Sequence, residues 1–173
     1  MSELRSAHCK RKTKETDIDL MFTIDGSGQS SITTDIGFFD HMLDGFARHG
    51  LFDLDVTVKG DLLVDCHHTI EDCGIVLGEA IKQAVGDKKG ICRYGSCILP
   101  MDETLVLCAI DLSGRPYLSF DAEFTTNRIG YMDTEMIREF FYAISYTAGM
   151  NLHMKVLSGT NSHHIIEALF KAF

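Results

Sequence analysis

The stretch His67-His68-Thr69-Ile70-Glu71 recurs, with one change, as His163-His164-Ile165-Ile166-Glu167. The two copies begin 96 residues apart and contain four of the eight histidines in the chain. Because residues i and i+4 share one face of a helix, a helical conformation would bring the first histidine of each copy near its glutamate. Imidazole and carboxylate groups together are typical ligands of manganese, iron or zinc. The duplication therefore suggests two metal ions, or one ion shared between two half-domains.

The repeat extends well beyond the two motifs. In both halves the apolar periodicity predicts a helix, a glycine, a strand and a second glycine before the histidine pair. Gly50 and Gly60 are ten residues apart, and so are Gly149 and Gly159. This period is too long for a solenoid. We therefore predict an α/β (α+β) fold in which two duplicated half-domains form a two-layer sandwich of β-sheets covered by helices.

The same periodicity gives approximate bounds for the elements. Strands are predicted at residues 17–24, 54–58, 104–110, 117–124 and 152–157. Helices are predicted at residues 37–50, 70–86 and 134–148, with a last helix opened by the second histidine pair. We expect one domain over residues 1–173, duplicated at about 5–90 and 91–173, with no phosphatase domain.

Composition excludes several classes of partner. A net charge of −9 argues against nucleic acid, and the short basic run Lys10-Arg11-Lys12 is better interpreted as the solvated face of a strand. No two of the six cysteines have the spacing of a zinc or redox motif, so we expect free thiols in a reducing cytosol. The sequence has no apolar signal core and no stretch of membrane-spanning length. We expect a cytoplasmic protein with no membrane partner.

The histidine pairs have a plainer alternative. One copy alone could be the polar first turn of a helix, where the helix dipole favours Glu71, but two copies in matching positions weaken that interpretation. Adjacent histidines on a helix point about 100° apart, so a pair reaches two metal ions more easily than one. His41, 26 residues before His67, and Glu139, 24 residues before His163, hold matching places in the two halves. His41 could instead be a core histidine, and Glu139 a solvated helix carboxylate.

Seven motifs in order carry a resemblance to a known family. They are GFFDHML (37–43), DxHHTIED (65–72), GDK (86–88), RYG (93–95), PMDE (100–103), SGRP (113–116) and NxHHxxEAxFKAF (161–173). Together they resemble imidazoleglycerol-phosphate dehydratases, from about Arg5 to Phe173. The resemblance implies a lyase that converts D-erythro-imidazole glycerol phosphate to imidazole acetol phosphate in L-histidine biosynthesis.

The resemblance also implies a cofactor, two Mn²⁺ ions in each active site. One ion would be bound by His41, His68, His163 and Glu167. The other would be bound by His67, Glu71 and His164. Several family members have a histidine where this chain has Glu139, which makes Glu139 the candidate fourth ligand; a carboxylate still suits manganese.

The family's chemistry explains the need for metal ions. The substrate imidazole, held between two cations, loses its N–H proton, and the resulting imidazolate expels the C3 hydroxyl. A base then removes the C2 proton, and the enol tautomerises to the ketone. The resemblance makes Glu15 the proton shuttle and Glu71 and Glu167 further catalytic carboxylates. From the sequence alone Glu15 could be an exposed strand glutamate.

The resemblance implies a set of substrate-binding residues: Glu15, His41, His49, His67, Glu71, Arg93, Arg115, His163 and Lys171. Arg93, Arg115 and Lys171 are the phosphate candidates, since the guanidinium fork suits bidentate phosphate contacts. Arg115 could equally be a turn residue and Lys171 a helix-surface residue, while His49 could be a helix-end residue favoured by the dipole.

Family members are further implied to assemble as homo-oligomers of 24 subunits built from trimers, with metal sites at subunit interfaces. They continue beyond Phe173 with a further helix and a Ser-Lys substrate-binding segment. Two other classes compete with the lyase. A metal storage or sensor module would need neither phosphate donors nor Glu15. A dinuclear metal hydrolase would release free phosphate from the substrate.

Overall fold

Two four-stranded sheets of the same topology form the frame of the computed structural model, which describes residues 4–173. In chain order the elements are β1 (Ser6–Lys12), β2 (Thr16–Thr23), β3 (Ser30–Thr33), α1 (Gly37–Gly50), β4 (Asp53–Gly60), α2 (His67–Val85), β5 (Tyr94–Met101), β6 (Thr104–Asp111), β7 (Tyr117–Asp121), β8 (Arg128–Ile129), β9 (Met132–Asp133), α3 (Met136–Ala148), β10 (Asn151–Ser158) and α4 (Ser162–Ala172). The sheet orders are β1-β2-β4-β3 and β5-β6-β10-β7. In each sheet the first three strands are antiparallel and the last is parallel to its neighbour.

The helices lie between the sheets. Helices α1 and α2 cover the first sheet, and α3 and α4 cover the second. Helix α2 packs on α3, and α1 packs on α4, so the two helical layers face each other. A single cluster of buried apolar residues runs through both halves. These observations confirm the predicted mixed α/β fold of two duplicated halves.

Strand β2 shows why the sequence forms sheets with one buried face. Ile18, Leu20 and Phe22 are buried, whereas the intervening Asp17 and Asp19 are exposed. Side chains alternate between the two faces of a strand, so this period of two gives each sheet an apolar face against the helices and a polar outer face. Lys10 and Lys12 of the basic run lie on the exposed face of β1 as expected, with their Nζ atoms 2.6 Å from Asp19 and Asp17, respectively, whereas Arg11 is half-buried on the opposite face.

Several elements differ from the sequence-based bounds. The predicted strand at residues 117–124 ends at Asp121, and β1, β3 and β5 had no predicted bounds. In β5 the apolar side chains of Tyr94 and Ile98 are exposed beside half-buried ones, so the sequence shows no apolar–polar alternation there. Helix α2 begins at His67, one turn earlier than the predicted 70–86, and this turn includes the first histidine pair.

The helix ends support the equivalence of the two halves. Leu51 caps the C-terminal end of α1 and Gly149 caps that of α3, and both residues adopt the left-handed conformation. His41 and Glu139 each lie ten residues before these caps, so they occupy matching positions.

Gly60 allows a close approach of β4 to α2, because a Cβ atom there would come within 1.9 Å of Thr69 Oγ1. Only glycine allows the end of β4 to approach the first turn of α2 this closely.

The six cysteines are all free thiols, in agreement with the sequence-based expectation. No helix within residues 4–173 is both long and apolar enough to cross a membrane.

Candidate metal centre

Both histidine pairs lie in the first turn of a helix. At the start of α4 the Asn161 side chain accepts hydrogen bonds from the backbone N–H groups of His163 (2.9 Å) and His164 (3.4 Å). At the start of α2 the Asp65 carboxylate accepts one from the backbone N–H of His67 at 2.7 Å. Asn and Asp side chains satisfy the free N–H groups at helix N-termini, so these residues fix where each pair begins.

Three predicted ligands meet at one point. The candidate ligand atoms of His41, His163 and Glu167 all lie within 4.8 Å of one another. Glu167 Oε2 is 3.2 Å from His163 Nε2 and 3.7 Å from His41 Nε2. The pair His163 and Glu167 follows from helical spacing, but His41 comes from the other half of the chain. The packing of α1 on α4 brings it there.

Positive charge surrounds Glu167. Lys171 Nζ lies 2.7 Å from Glu167 Oε1, one helical turn away on α4. Burial alone would raise the pKa of Glu167, but the hydrogen bond from Lys171 and the charges of Lys171, His41 and His163 outweigh it and lower that pKa. Glu167 is therefore an ionised carboxylate at neutral pH, the form that binds a cation.

His68, the expected fourth ligand of this ion, does not join the cluster of His41, His163 and Glu167 within the described chain. Its Nδ1 atom is 3.0 Å from Asp61 Oδ2, and this hydrogen bond raises the pKa of His68. The carboxylate comes from the loop that follows β4.

The residues expected at the second ion form separate pairs within the described part of the chain. His67 Nε2 lies 3.6 Å from Glu71 Oε2. His164 Nδ1 lies 2.7 Å from Glu103 Oε2, and Glu139 pairs with Arg138 at 3.1 Å. One chain thus brings together three of the four ligands assigned to the first ion, but it does not bring together those assigned to the second.

A strong electrostatic interaction links His164 and Glu103. The hydrogen bond raises the pKa of His164. Hydrogen bonds from His164 and from the backbone N–H of Asn161 lower the pKa of Glu103 to about 2. Sequence reasoning assigned Glu103 no role, although its PMDE motif belongs to the family resemblance.

Glu15 lies in the turn between β1 and β2, close enough to His68 for its charge to raise the pKa of that histidine. Thr13 Oγ1 accepts hydrogen bonds from the backbone N–H groups of Glu15 (3.1 Å) and Thr16 (3.0 Å). The Glu15 carboxylate itself makes no hydrogen bond or ion pair with another described residue. The Glu15 carboxylate thus lies near the first histidine pair without a partner among the described residues.

The phosphate candidates lie in two places. Arg93 Nε is 2.6 Å from Asp111 Oδ1, and the hydrogen bond from Arg93 together with the charges of Arg115 and Lys88 lowers the pKa of Asp111. These three cations therefore lie near Asp111, the last residue of β6. Lys171, in contrast, lies beside Glu167. His49 is exposed in the last turn of α1, and its side chain makes no hydrogen bond to the rest of residues 4–173.

Comparison with known proteins identifies the family. The family model described as imidazoleglycerol-phosphate dehydratase matches residues 34–173. This chain belongs to the imidazoleglycerol-phosphate dehydratase family. Members of the family are dehydratases, which are lyases.

Relatives and a solved structure support membership of the imidazoleglycerol-phosphate dehydratase family. The chain is 66% identical over 169 residues to an imidazoleglycerol-phosphate dehydratase of Lachnoclostridium phytofermentans, with 98% of this chain and 86% of the relative covered. A relative from Acetivibrio thermocellus is 64% identical, with 98% and 87% covered. The crystal structure of the Staphylococcus aureus enzyme aligns with a TM-score of 0.87 at 39% identity, covering 97% of this chain and 93% of that one.

Proposed function

We propose that this protein dehydrates D-erythro-imidazole glycerol phosphate to imidazole acetol phosphate in L-histidine biosynthesis, in the cytoplasm. The observation that carries the proposal is the meeting of His41, His163 and Glu167 in a chain that is 66% identical to an enzyme of that name. We further propose that residues 1–173 act as one internally duplicated domain, because one apolar core spans both halves.

The donor set fits Mn²⁺. Two imidazoles and an ionised carboxylate within 4.8 Å of one another suit a divalent ion of intermediate softness. We propose that His41, His68, His163 and Glu167 hold one ion. We propose that His67, Glu71, His164 and Glu139 hold the other. When bound, the ions would act as Lewis acids that favour loss of the substrate imidazole N–H proton.

The protein's own side chains would direct the proton transfers. Glu15, unpaired among the described residues and close to His68, would take the C2 proton and return it later. Helix α4 would present His163 and Glu167 on one face, while Lys171 keeps Glu167 ionised. The substrate would contact these groups together with His41, His49, His67 and Glu71.

The distances within one chain favour an oligomeric site. Arg93 and Arg115 lie near the C-terminal end of β6. His164 contacts Glu103, which directly precedes the N-terminal end of the same strand. Eight strand residues separate these ends by about 23 Å at ~3.3 Å per residue. A molecule with an imidazole ring, three carbons and one phosphate extends roughly 10 Å. We therefore propose that a second copy supplies residues to each site, in an assembly of 24 subunits built from trimers.

Turnover and metal content measured on one sample test the proposal. Purified protein incubated with Mn²⁺ and imidazole glycerol phosphate should give an enolisable ketone, and metal analysis should give two ions per subunit. Replacing His67 or His164 by Ala should lower bound metal and abolish turnover. Release of free phosphate would indicate a hydrolase, whereas metal binding without turnover would indicate a storage or sensor module. Either result would overturn the proposal.

A further inference from the structure

The β1–β2 hairpin and the β5–β6 hairpin occupy the same place in the two sheets. Strand β2 begins at Thr16 and β6 begins at Thr104, and a glutamate directly precedes each threonine. In the first sheet Thr16 pairs with Gly60 at the end of β4. In the second, a Cβ on Gly159 would lie 2.5 Å from Thr104 Oγ1. Glu15 and Glu103 are therefore counterparts.

The two counterparts have different surroundings. Glu103 Oε1 accepts hydrogen bonds from the backbone N–H groups of Asn161 (2.9 Å) and Thr160 (3.3 Å). It also accepts one of 3.3 Å from Thr104 Oγ1. Its other oxygen, Oε2, lies 2.7 Å from His164 Nδ1. Glu103 is thus fixed between the start of α4 and the imidazole of His164, while Glu15 is unpaired among residues 4–173.

The bond to Glu103 determines which ring nitrogen of His164 carries the proton. A carboxylate only accepts, so in the neutral imidazole Nδ1 carries the hydrogen and Nε2 has a free lone pair. The nearest acidic group to Nε2 is the exposed Asp102, whose Oδ2 lies 3.8 Å away, too far for a hydrogen bond. His68 has the same arrangement, with Asp61 at its Nδ1. The second histidine of each pair therefore presents Nε2.

We propose that Glu103 is a positioning residue that holds His164 in the Nδ1–H tautomer, with Nε2 directed outward to bind a divalent metal ion. The inference rests on the proposed function, because it requires His164 to be a metal ligand. A carboxylate behind a ligating histidine fixes the ring and raises its basicity, and loss of such a partner costs about 10- to 100-fold in metal affinity. The duplicated hairpin thus has two uses: Glu103 positions a ligand, and Glu15 remains free for proton transfer.

The substitution Glu103→Gln tests the tautomer directly. The backbone N–H groups that bind Oε1 of Glu103 can donate only to the amide oxygen of the glutamine. The glutamine NH₂ group therefore faces His164 Nδ1. That NH₂ group donates, so Nδ1 must accept and the hydrogen moves to Nε2, the nitrogen needed by the metal. Glu79→Gln is the matched control, since Glu79 lies within α2 and contacts Gln83.

The measurements are Mn²⁺ titration and ¹⁵N solid-state NMR of histidine-labelled, metal-free protein above the pH range of histidine titration. His164→Gln assigns the His164 signals. Wild-type protein should show Nδ1–H at His164, and Glu103→Gln should show Nε2–H. One of the two Mn²⁺ ions should bind about 10- to 100-fold more weakly in Glu103→Gln, and Glu79→Gln should bind both normally.

Each outcome decides the matter. Wild-type protein with Nε2–H at His164 overturns the inference, even if Glu103→Gln fails to fold. If the wild-type protein is active and Glu103→Gln binds both ions with unchanged affinity, the inference is wrong and the proposed function stands. A wild-type protein that binds no Mn²⁺ and has no turnover overturns the proposed function, and the inference with it.

Discussion

The hydroxyl of Thr16 donates a 2.5 Å hydrogen bond to the buried carboxylate of Asp72, although the two residues are 56 positions apart. Arg11 binds the other oxygen of Asp72, with its NH2 group at 3.1 Å and Nε at 3.2 Å. Asp72 directly follows Glu71 on α2, and Thr16 directly follows Glu15. These bonds therefore fix the hairpin that carries Glu15 to the helix that carries the first histidine pair.

Thr16→Val should slow turnover without removing metal. Valine has nearly the same shape but cannot donate to Asp72, so the Glu15 hairpin loses one attachment to α2. A displacement of about 1 Å at a reacting group costs up to about 100-fold in rate, and we expect kcat to fall about 10- to 100-fold. Steady-state kinetics and metal analysis check this result. Thr57→Val, on the exposed face of β4, is the control, and equal kcat values in the two variants would contradict the prediction.

Glu15→Gln should leave metal binding intact and slow the chemical step. Glutamine keeps the size of the side chain but cannot accept and return a proton, and loss of a general acid–base group costs about 100- to 10,000-fold. The measurement is kcat with Mn²⁺ content determined in parallel, and Glu79→Gln serves as the control. A variant with wild-type kcat would remove Glu15 from the reaction.

Glu139→Ala tests the candidate fourth ligand. If Glu139 binds metal in the assembled protein, one Mn²⁺ ion per subunit should bind more weakly in the variant. The substitution also breaks the ion pair with Arg138, so Arg138→Met is the control for loss of that pair alone. Isothermal titration with Mn²⁺ separates the two effects. If Glu139→Ala keeps wild-type affinity for both ions, Glu139 is a surface carboxylate paired with Arg138.

Leu51→Gly should stabilise the protein. Leu51 has a φ of 56° at the end of α1 and is 62% exposed, whereas the matching Gly149 has a φ of 67°. A left-handed conformation costs a residue with a Cβ about 1–2 kcal/mol, and the greater freedom of glycine in the unfolded chain offsets part of the gain. We expect the free energy of unfolding in urea to rise by about 0.5–1 kcal/mol. Gly149→Ala should lower it, and a destabilised Leu51→Gly would contradict the strain argument.

The pair formed by Glu103 and His164 should make the stability of the metal-free protein depend on pH. The lowered pKa of Glu103, about 2, gives stability above its ordinary value of 4.5 that is lost as the pH falls toward 2. The raised pKa of His164 gives stability below its ordinary value of 6.5 that is lost as the pH rises through the raised value. Both contributions are present together between about pH 4.5 and 6.5.

Urea denaturation of wild-type protein and Glu103→Gln, both with a chelator, measures this dependence. The difference in unfolding free energy should be largest between about pH 4.5 and 6.5 and should shrink at higher pH, where His164 is neutral. A difference that stays constant from the acidic to the alkaline range would contradict the assignment. Glu79→Gln should show no such maximum.

Local patterns account for what the sequence predicted well. The pairing of His163 with Glu167 depends only on the helical period, which the backbone geometry sets. The duplication followed from repeated glycines and histidine pairs at matching intervals, so the mixed α/β fold of two halves could be predicted and is confirmed. The family resemblance likewise rests on short motifs that can be recognised without knowing where they meet.

The sequence by itself determined the helices, most of the central strands and the histidine and glutamate pairs one helical turn apart. Only the tertiary structure decided that His41 meets Glu167, that Glu103 holds His164, and that Thr16 is bound to Asp72. Each of these contacts joins residues more than fifty positions apart. They depend on which apolar faces pack together to bury the core of the whole chain, and no local period records that choice.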